Sequence, residues 1–182
     1  MNDKQIKRTS KFLSLILRHR PEVIGIELDE NGWANIDELI QKMNAKDANV
    51  NLDILHTVVA TNNKKRFTFN DDQTKIRASQ GHSIGVDLDL TPQTPPTILY
   101  HGTAQQFVDN IQQQGLKKMN RQHVHLSADL ATASQVGQRH GKLFIFEVAA
   151  AQMEQDGFTF YLSENGVWLT EAVPARYLSV FK

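Results

Sequence analysis

Three of the five prolines in this 182-residue chain fall within residues 84–96, IGVDLDLTPQTPP. Proline cannot donate to a ladder or sit inside a helix, and it pushes the residue before it toward extended geometry. No regular element can run through that stretch, so it reads as a connector and the chain is expected to fold as two modules, 1–83 and 97–182. With 40% hydrophobic residues the chain can bury one large core or two small ones.

In the first half, Thr9 and Ser10 stand before Phe12, Leu13, Leu15, Ile16 and Leu17, a pattern expected to give a capped helix with a broad buried face. Pro21 disfavours helical geometry at Arg20, so that helix should stop near His19. Asn31-Gly32 is a turn signal, and Asp37 or its neighbours should open a second helix running through Met43. Residues 52–61 read as a third. KKRFTF and KIRAS alternate around the polar turn NDDQT, so residues 64–79 are expected to form a hairpin. Helices followed by a hairpin suggest a winged-helix-like lobe.

The second half changes character. TILYHGT is expected to be a short strand breaking at Gly102, and FVDNIQQQGL an amphipathic helix ending at Gly115. HVHLS reads as a strand and DLATASQVGQRHG as a helix. KLFIFEVAA reads as an apolar strand central in a sheet, and NGVWLTEAVPARYLSVF as two more strands. The fold class expected is α+β, with a mixed sheet in this half.

Lys plus Arg and Asp plus Glu both total 20, so no global positive field draws the chain onto nucleic acid. Any such contact must be local, through a few aimed cations. The absence of cysteine removes disulfides, thiolate zinc sites and cysteine nucleophiles together. The N-terminus is polar and no apolar run approaches membrane-spanning length, so a cytoplasmic, membrane-free protein is expected.

Chemistry concentrates in NRQHVHLSAD, residues 120–129. On one strand, His123 and His125 would share a face and could clamp a metal. Arg121 on that face opposes a dication, however, and neither a HExxH pattern nor a cysteine supplies a third ligand. The same row of Arg121, His123, His125 and Ser127 would suit a ligand rich in phosphate and ribose oxygens. A solvated edge strand is the plain alternative. LRHRPE and KKRF add Arg18, His19 and Arg66, though cations at a helix C-terminus also complement its dipole. YHGT offers His101 beside a glycine that admits close approach. Neither GxGxxG nor GxxxxGK is present.

Taken together, SKFLSLILRHRPE, KKRF, QGHS, ILYHGT, GLKKMNRQHVHLS and ENGVWLT resemble the KptA-type RNA 2′-phosphotransferases, in that family's order and over nearly the whole chain. RASQGHS departs from the family's ANQGHS in carrying Ser79. The resemblance implies a winged-helix N-terminal lobe and a C-terminal lobe of the ADP-ribosyltransferase type. It implies that an internal RNA 2′-phosphate is transferred to NAD⁺, consumed as co-substrate, without a metal or an obligatory protein partner. The 2′-phosphate first attacks the nicotinamide-bearing ribose carbon. The neighbouring ribose hydroxyl then attacks phosphorus, leaving 2′-OH RNA and ADP-ribose 1″,2″-cyclic phosphate.

By the same resemblance Arg18, His19, Arg66 and Arg121 hold the 2′-phosphate, and His19 is the member able to donate a proton. His101, Gly102, Thr103, His125 and Ser127 would bind NAD⁺, with Arg139 on a pyrophosphate oxygen. Val167 stands where many ADP-ribosyltransferases carry a glutamate, and an anionic phosphate nucleophile needs no such base. An ADP-ribosyltransferase acting on nucleic-acid phosphate or protein is the alternative.

Overall fold

The first helix, α1 (Asp3–Arg18), buries Thr9, Leu13, Ile16 and Leu17, one stripe at helical spacing. In the computed structural model, which describes residues 3–62 and 64–181, it begins two turns earlier than its Thr9-Ser10 signal suggested. Thr9 is a buried interior residue rather than a cap. Ile6 packs on the same core and Asp3 suits the positive end of the helix dipole, which together carry the helix back to residue 3. At the other end the amides of His19 and Arg20 both donate to the Leu15 carbonyl, at 3.1 and 2.8 Å, and Pro21 opens a 3₁₀ turn, Pro21–Val23.

Helix α1 belongs to the first of two compact units, Met1–Asp89 and Leu90–Lys182. Helices α2 (Ile36–Asn44) and α3 (Leu52–Ala60) are capped by asparagines, Asn35 Oδ1 accepting from the Glu38 amide at 3.0 Å and Asn51 Oδ1 from the Ile54 amide at 2.9 Å. The hairpin forms as β2 (Phe67–Phe69) and β3 (Lys75–Ala78), joined by a two-residue strand, β1 (Ala34–Asn35), in an antiparallel sheet of order β1-β3-β2. Leu13, Leu17, Leu39, Leu55, Phe67 and Ile76 share its core. The proline-rich stretch is tied down at both ends: the Asp87 amide donates to the Glu30 carbonyl at 2.7 Å, and the Gln93 amide to the Phe160 carbonyl at 2.8 Å.

The second unit is built on β4 (Leu99–Ala104), β7 (Leu143–Val148) and β11 (Leu178–Val180), ordered β11-β7-β4 with β7 central. A second sheet orders β6 (Val124–Leu126), β9 (Trp168–Thr170) and β8 (Phe160–Leu162) as β6-β9-β8, and β5 (Leu116–Lys117) pairs β10 (Ala172–Val173). Helix α5 (Leu130–Gly137) packs against β4 and β7, while α4 (Val108–Gln114) and α6 (Ala150–Gln155) both pack against the 3₁₀ turn Ala175–Tyr177. The mixed sheet expected here is replaced by small sheets in which every described pairing is antiparallel. Strand β7 returns directly alongside β4, Ala104 opposite Leu143, instead of crossing over to run parallel with it. Residues 165–181 supply three strands rather than two, because Glu171 and Pro174 divide the run into shorter pieces.

Strand β4 does not break at Gly102 but runs through it. A Cβ there would lie 1.8 Å from the Ala133 carbonyl oxygen, so the missing side chain makes room for helix α5. Gly137 repeats the device from the helix side, where a Cβ would meet the Thr103 amide nitrogen at 2.8 Å. Two glycines thus let helix backbone rest on strand backbone. Gly102→Ala forces the two apart, and overpacking of this kind costs about 3 kcal/mol, roughly 10–20 °C in melting temperature for a domain of this size. An unchanged thermal midpoint by calorimetry would contradict this packing.

Candidate functional site

In the first unit, the end of α1 and the start of the hairpin bring Arg18 and Arg66 to one groove, and Arg18 Nη2 approaches the Arg66 carbonyl at 3.5 Å. The neighbouring segment, residues 79–83, holds both in place. The Ser79 amide donates to the Arg66 carbonyl and its hydroxyl to the Lys65 carbonyl, each at 2.9 Å, which fixes a backbone whose Lys65 has φ of 41°. The Ser83 amide donates to the Arg18 carbonyl, and Ser83 Oγ lies 2.9 Å from His19 Nδ1. His19 is exposed and keeps Nε2 clear of that contact. Arg18, His19 and Arg66 are therefore assembled by one short stretch, and Ser79, the departure noted in the sequence, has a definite job within it.

His82 lies inside this cluster, only 1% exposed, and neither ring nitrogen has a hydrogen-bond partner. Burial, reinforced by the positive fields of Arg18, His19 and Arg77, lowers its pKa to about 4. Arg77 itself stacks over the Trp33 ring, its guanidinium carbon 4.4 Å from the centroid.

In the second unit, the backbones of Tyr100 and Ser127 exchange two hydrogen bonds of 2.8 Å, which sets His101 on β4 beside His125 on β6. The expected same-face row does not form. Residues 121–123 are bends and the strand starts only at Val124, so Arg121 and His123 leave its register. His123 packs edge-on against the Tyr161 ring at 5.7 Å. Its pKa is lowered, by burial first, with Lys118 adding to the effect and Glu171 opposing it. Arg121 folds back, and its Nη1 lies 3.1 Å from His125 Nδ1. A guanidinium only donates, so His125 Nδ1 accepts and a neutral His125 carries its proton on Nε2.

His101 has the opposite tautomer. Its Nδ1 lies 3.2 Å from the His125 carbonyl and must donate, leaving Nε2 as an acceptor. Burial lowers its pKa, opposed by that carbonyl and assisted by the Arg121 charge, which keeps the ring neutral. Thr103 is buried, and Arg139 is exposed on the 3₁₀ turn after α5. Among the described residues, no three His, Asp or Glu side chains gather as metal ligands, and no helix is long and apolar enough to cross a membrane.

Sequence reasoning gave no role to Ser79, His82, Ser83 or Arg77. The QGHS run was the available signal, but its contacts reach back as far as 65 residues, from Ser83 to Arg18, and no local pattern reports them.

Comparison with known proteins follows the same line. The model of the RNA 2′-phosphotransferase, Tpt1 / KptA family, matches residues 4–172. A probable RNA 2′-phosphotransferase of Rhodopirellula baltica is 57% identical over 178 residues, 97% of each chain. Proteins of the same description from Flavobacterium johnsoniae and Fusobacterium nucleatum are 56% and 52% identical, covering 98% and 97% of this chain and 98% of each of theirs. Relatives of this kind make the chain a transferase. It belongs to the Tpt1 / KptA family of RNA 2′-phosphotransferases.

The unpartnered His82 has a measurable consequence. Its pKa is about 4 folded and about 6.5 unfolded, so the unfolded chain binds more protons between those values. Stability is unaffected above pH 6.5 and falls as pH drops toward 4, by roughly 3 kcal/mol for this group. Denaturant titrations of His82→Gln should show that much less acid-side loss. Equal slopes in variant and parent would contradict the assignment.

Proposed function

We propose that this chain removes an internal 2′-phosphate from RNA and passes it to NAD⁺, giving 2′-OH RNA and ADP-ribose 1″,2″-cyclic phosphate. Family membership supports the RNA 2′-phosphate as substrate, and the Arg18–His19–Arg66 cluster is the observation that carries the reading. A phosphate monoester bears close to two negative charges, and guanidiniums fixed before it arrives pay no reorganisation during the reaction. The first unit acts on this reading as a winged-helix-like lobe for the 2′-phosphate, and the second as an ADP-ribosyltransferase-like lobe for the dinucleotide.

The donor set of the second unit fits NAD⁺. His101 Nε2 is an acceptor for a ribose hydroxyl, and His125 Nε2–H and Ser127 are donors. NAD⁺ supplies an electrophilic ribose carbon with nicotinamide as leaving group, and then the adjacent hydroxyl that accepts phosphorus. His101 orients the sugar without moving a proton. Arg18 and Arg66 act on the phosphoryl oxygens, and Arg121, steadied on His125, is a further phosphate ligand. His19, oriented through Nδ1 by Ser83, presents Nε2 to the phosphate and protonates the departing RNA 2′-oxygen. Gly102 and Thr103 shape the floor of the dinucleotide site, and Arg139 meets a pyrophosphate oxygen.

Incubation with NAD⁺ and a 2′-phosphorylated oligonucleotide, with products resolved by chromatography, tests this directly. The reading predicts cyclic phosphate, free nicotinamide and dephosphorylated RNA, undiminished by chelator. Stable ADP-ribosyl-RNA or ADP-ribosyl-protein as the end product would favour a general ADP-ribosyltransferase instead. Arg66→Ala and Arg121→Ala should each slow turnover on the order of 100- to 1000-fold while leaving the fold intact. A loss under tenfold in both would remove the guanidiniums from the chemistry.

A further inference from the structure

The groove that ends at Arg18 and Arg66 is much larger than a phosphate needs. It runs the length of α1, encloses about 810 Å³, and is lined by five cations, Lys7, Lys11, Arg18, Lys64 and Arg66, against one carboxylate, Asp3. The chain as a whole has no net charge, so this is a strong local concentration. Lys7, Lys11, Ser14 and Arg18 follow at i, i+4, i+7 and i+11, which puts them on one face of the helix. At 1.5 Å per residue the row is about 16 Å long, or about five nucleotides of a stacked strand and fewer of an extended one.

Helix stability does not explain these lysines. The positive end of the dipole lies at the α1 N-terminus, where cations are disfavoured, and Lys7 sits just past the first turn. Lys7 and Lys11 are exposed, and among the described residues neither has a carboxylate within ion-pair distance. The groove wall also carries Ser10, Ser14, Thr61 and Asn62, short polar groups suited to ribose and phosphate oxygens. Among the described residues its only large apolar linings are Ile6 and Val58, with no aromatic surface on which a base would stack.

We propose that this groove holds the ribose–phosphate backbone of the RNA strand flanking the 2′-phosphate, with Lys7 and Lys11 pairing to phosphodiesters beyond the reacting nucleotide. The inference rests on the 2′-phosphotransferase reading for its substrate. It adds an extended, sequence-independent subsite read through backbone charge. The enzyme then favours an internal 2′-phosphate in a strand over the same group on a mononucleotide, and Lys7 and Lys11 are binding residues with no part in the chemistry.

Fluorescence anisotropy without NAD⁺ tests this on the full chain, using a labelled trinucleotide and a nonanucleotide, each made with and without one internal 2′-phosphate. The nonanucleotide should bind more tightly than the trinucleotide. In Lys7→Ala/Lys11→Ala that length advantage should shrink by about three- to fivefold per lysine. The slope of log affinity against log salt for the nonanucleotide should fall by about 1.4, from about 0.7 per phosphate in a single strand. Lys7→Arg/Lys11→Arg should retain the advantage. Equal affinity for the two lengths, or an advantage that survives the double alanine variant, overturns the groove assignment. If length matters through these lysines but the 2′-phosphate makes no difference, the groove stands and the 2′-phosphate reading falls.

Discussion

The first unit depends on holding two guanidiniums and an imidazole at one spot before any anion arrives. Like charges there repel, and side-chain entropy favours letting the arginines swing into water. Ser79 and Ser83 oppose both tendencies by gripping backbone rather than side chain. Ser79 ties the carbonyls of Lys65 and Arg66, and Ser83 ties the Arg18 carbonyl while touching His19. A five-residue stretch thereby links the end of the first helix to the start of the hairpin. The 2′-phosphate of the proposed substrate is then the counter-charge for which the cluster is prepared.

Neutral histidines are the complementary theme. His82 is kept uncharged by burial among cations, which prevents it from adding a further positive charge beside Arg18. His101 is kept uncharged in the second unit by burial and by Arg121, with its proton held on Nδ1 by a backbone carbonyl. Each ring is therefore fixed in one protonation state near neutral pH. His19 differs in being exposed, as suits the proton donor proposed for it.

Much of this was legible in the sequence. Apolar spacing marked α1, the turn signal and Asp37 marked α2, residues 52–61 marked α3, the NDDQT turn marked the hairpin, and the long apolar run of β7 marked a central strand. Two-residue strands such as β1 and β5 were not legible, because a single ladder step leaves no period to read. Gly102 misled for a physical reason. A glycine in a strand signals either a break or a close approach, and only the Ala133 carbonyl against it decides which. Arg121 misled in the same way: spacing of two implies a shared face only where a strand persists, and here it begins at Val124. The contacts of Ser79 and Ser83 join residues distant in sequence, so periodicity could not disclose them.

The central claim is that prepared cations recognise the 2′-phosphate itself. Isothermal titration of a dinucleotide with and without its 2′-phosphate, into the parent protein and Arg66→Ala, measures this most directly. The account predicts that the phosphate strengthens binding to the parent and that Arg66→Ala loses roughly ten- to hundredfold of that gain, as expected for a charge-assisted hydrogen bond. Equal affinity of the parent protein for the two dinucleotides would contradict it.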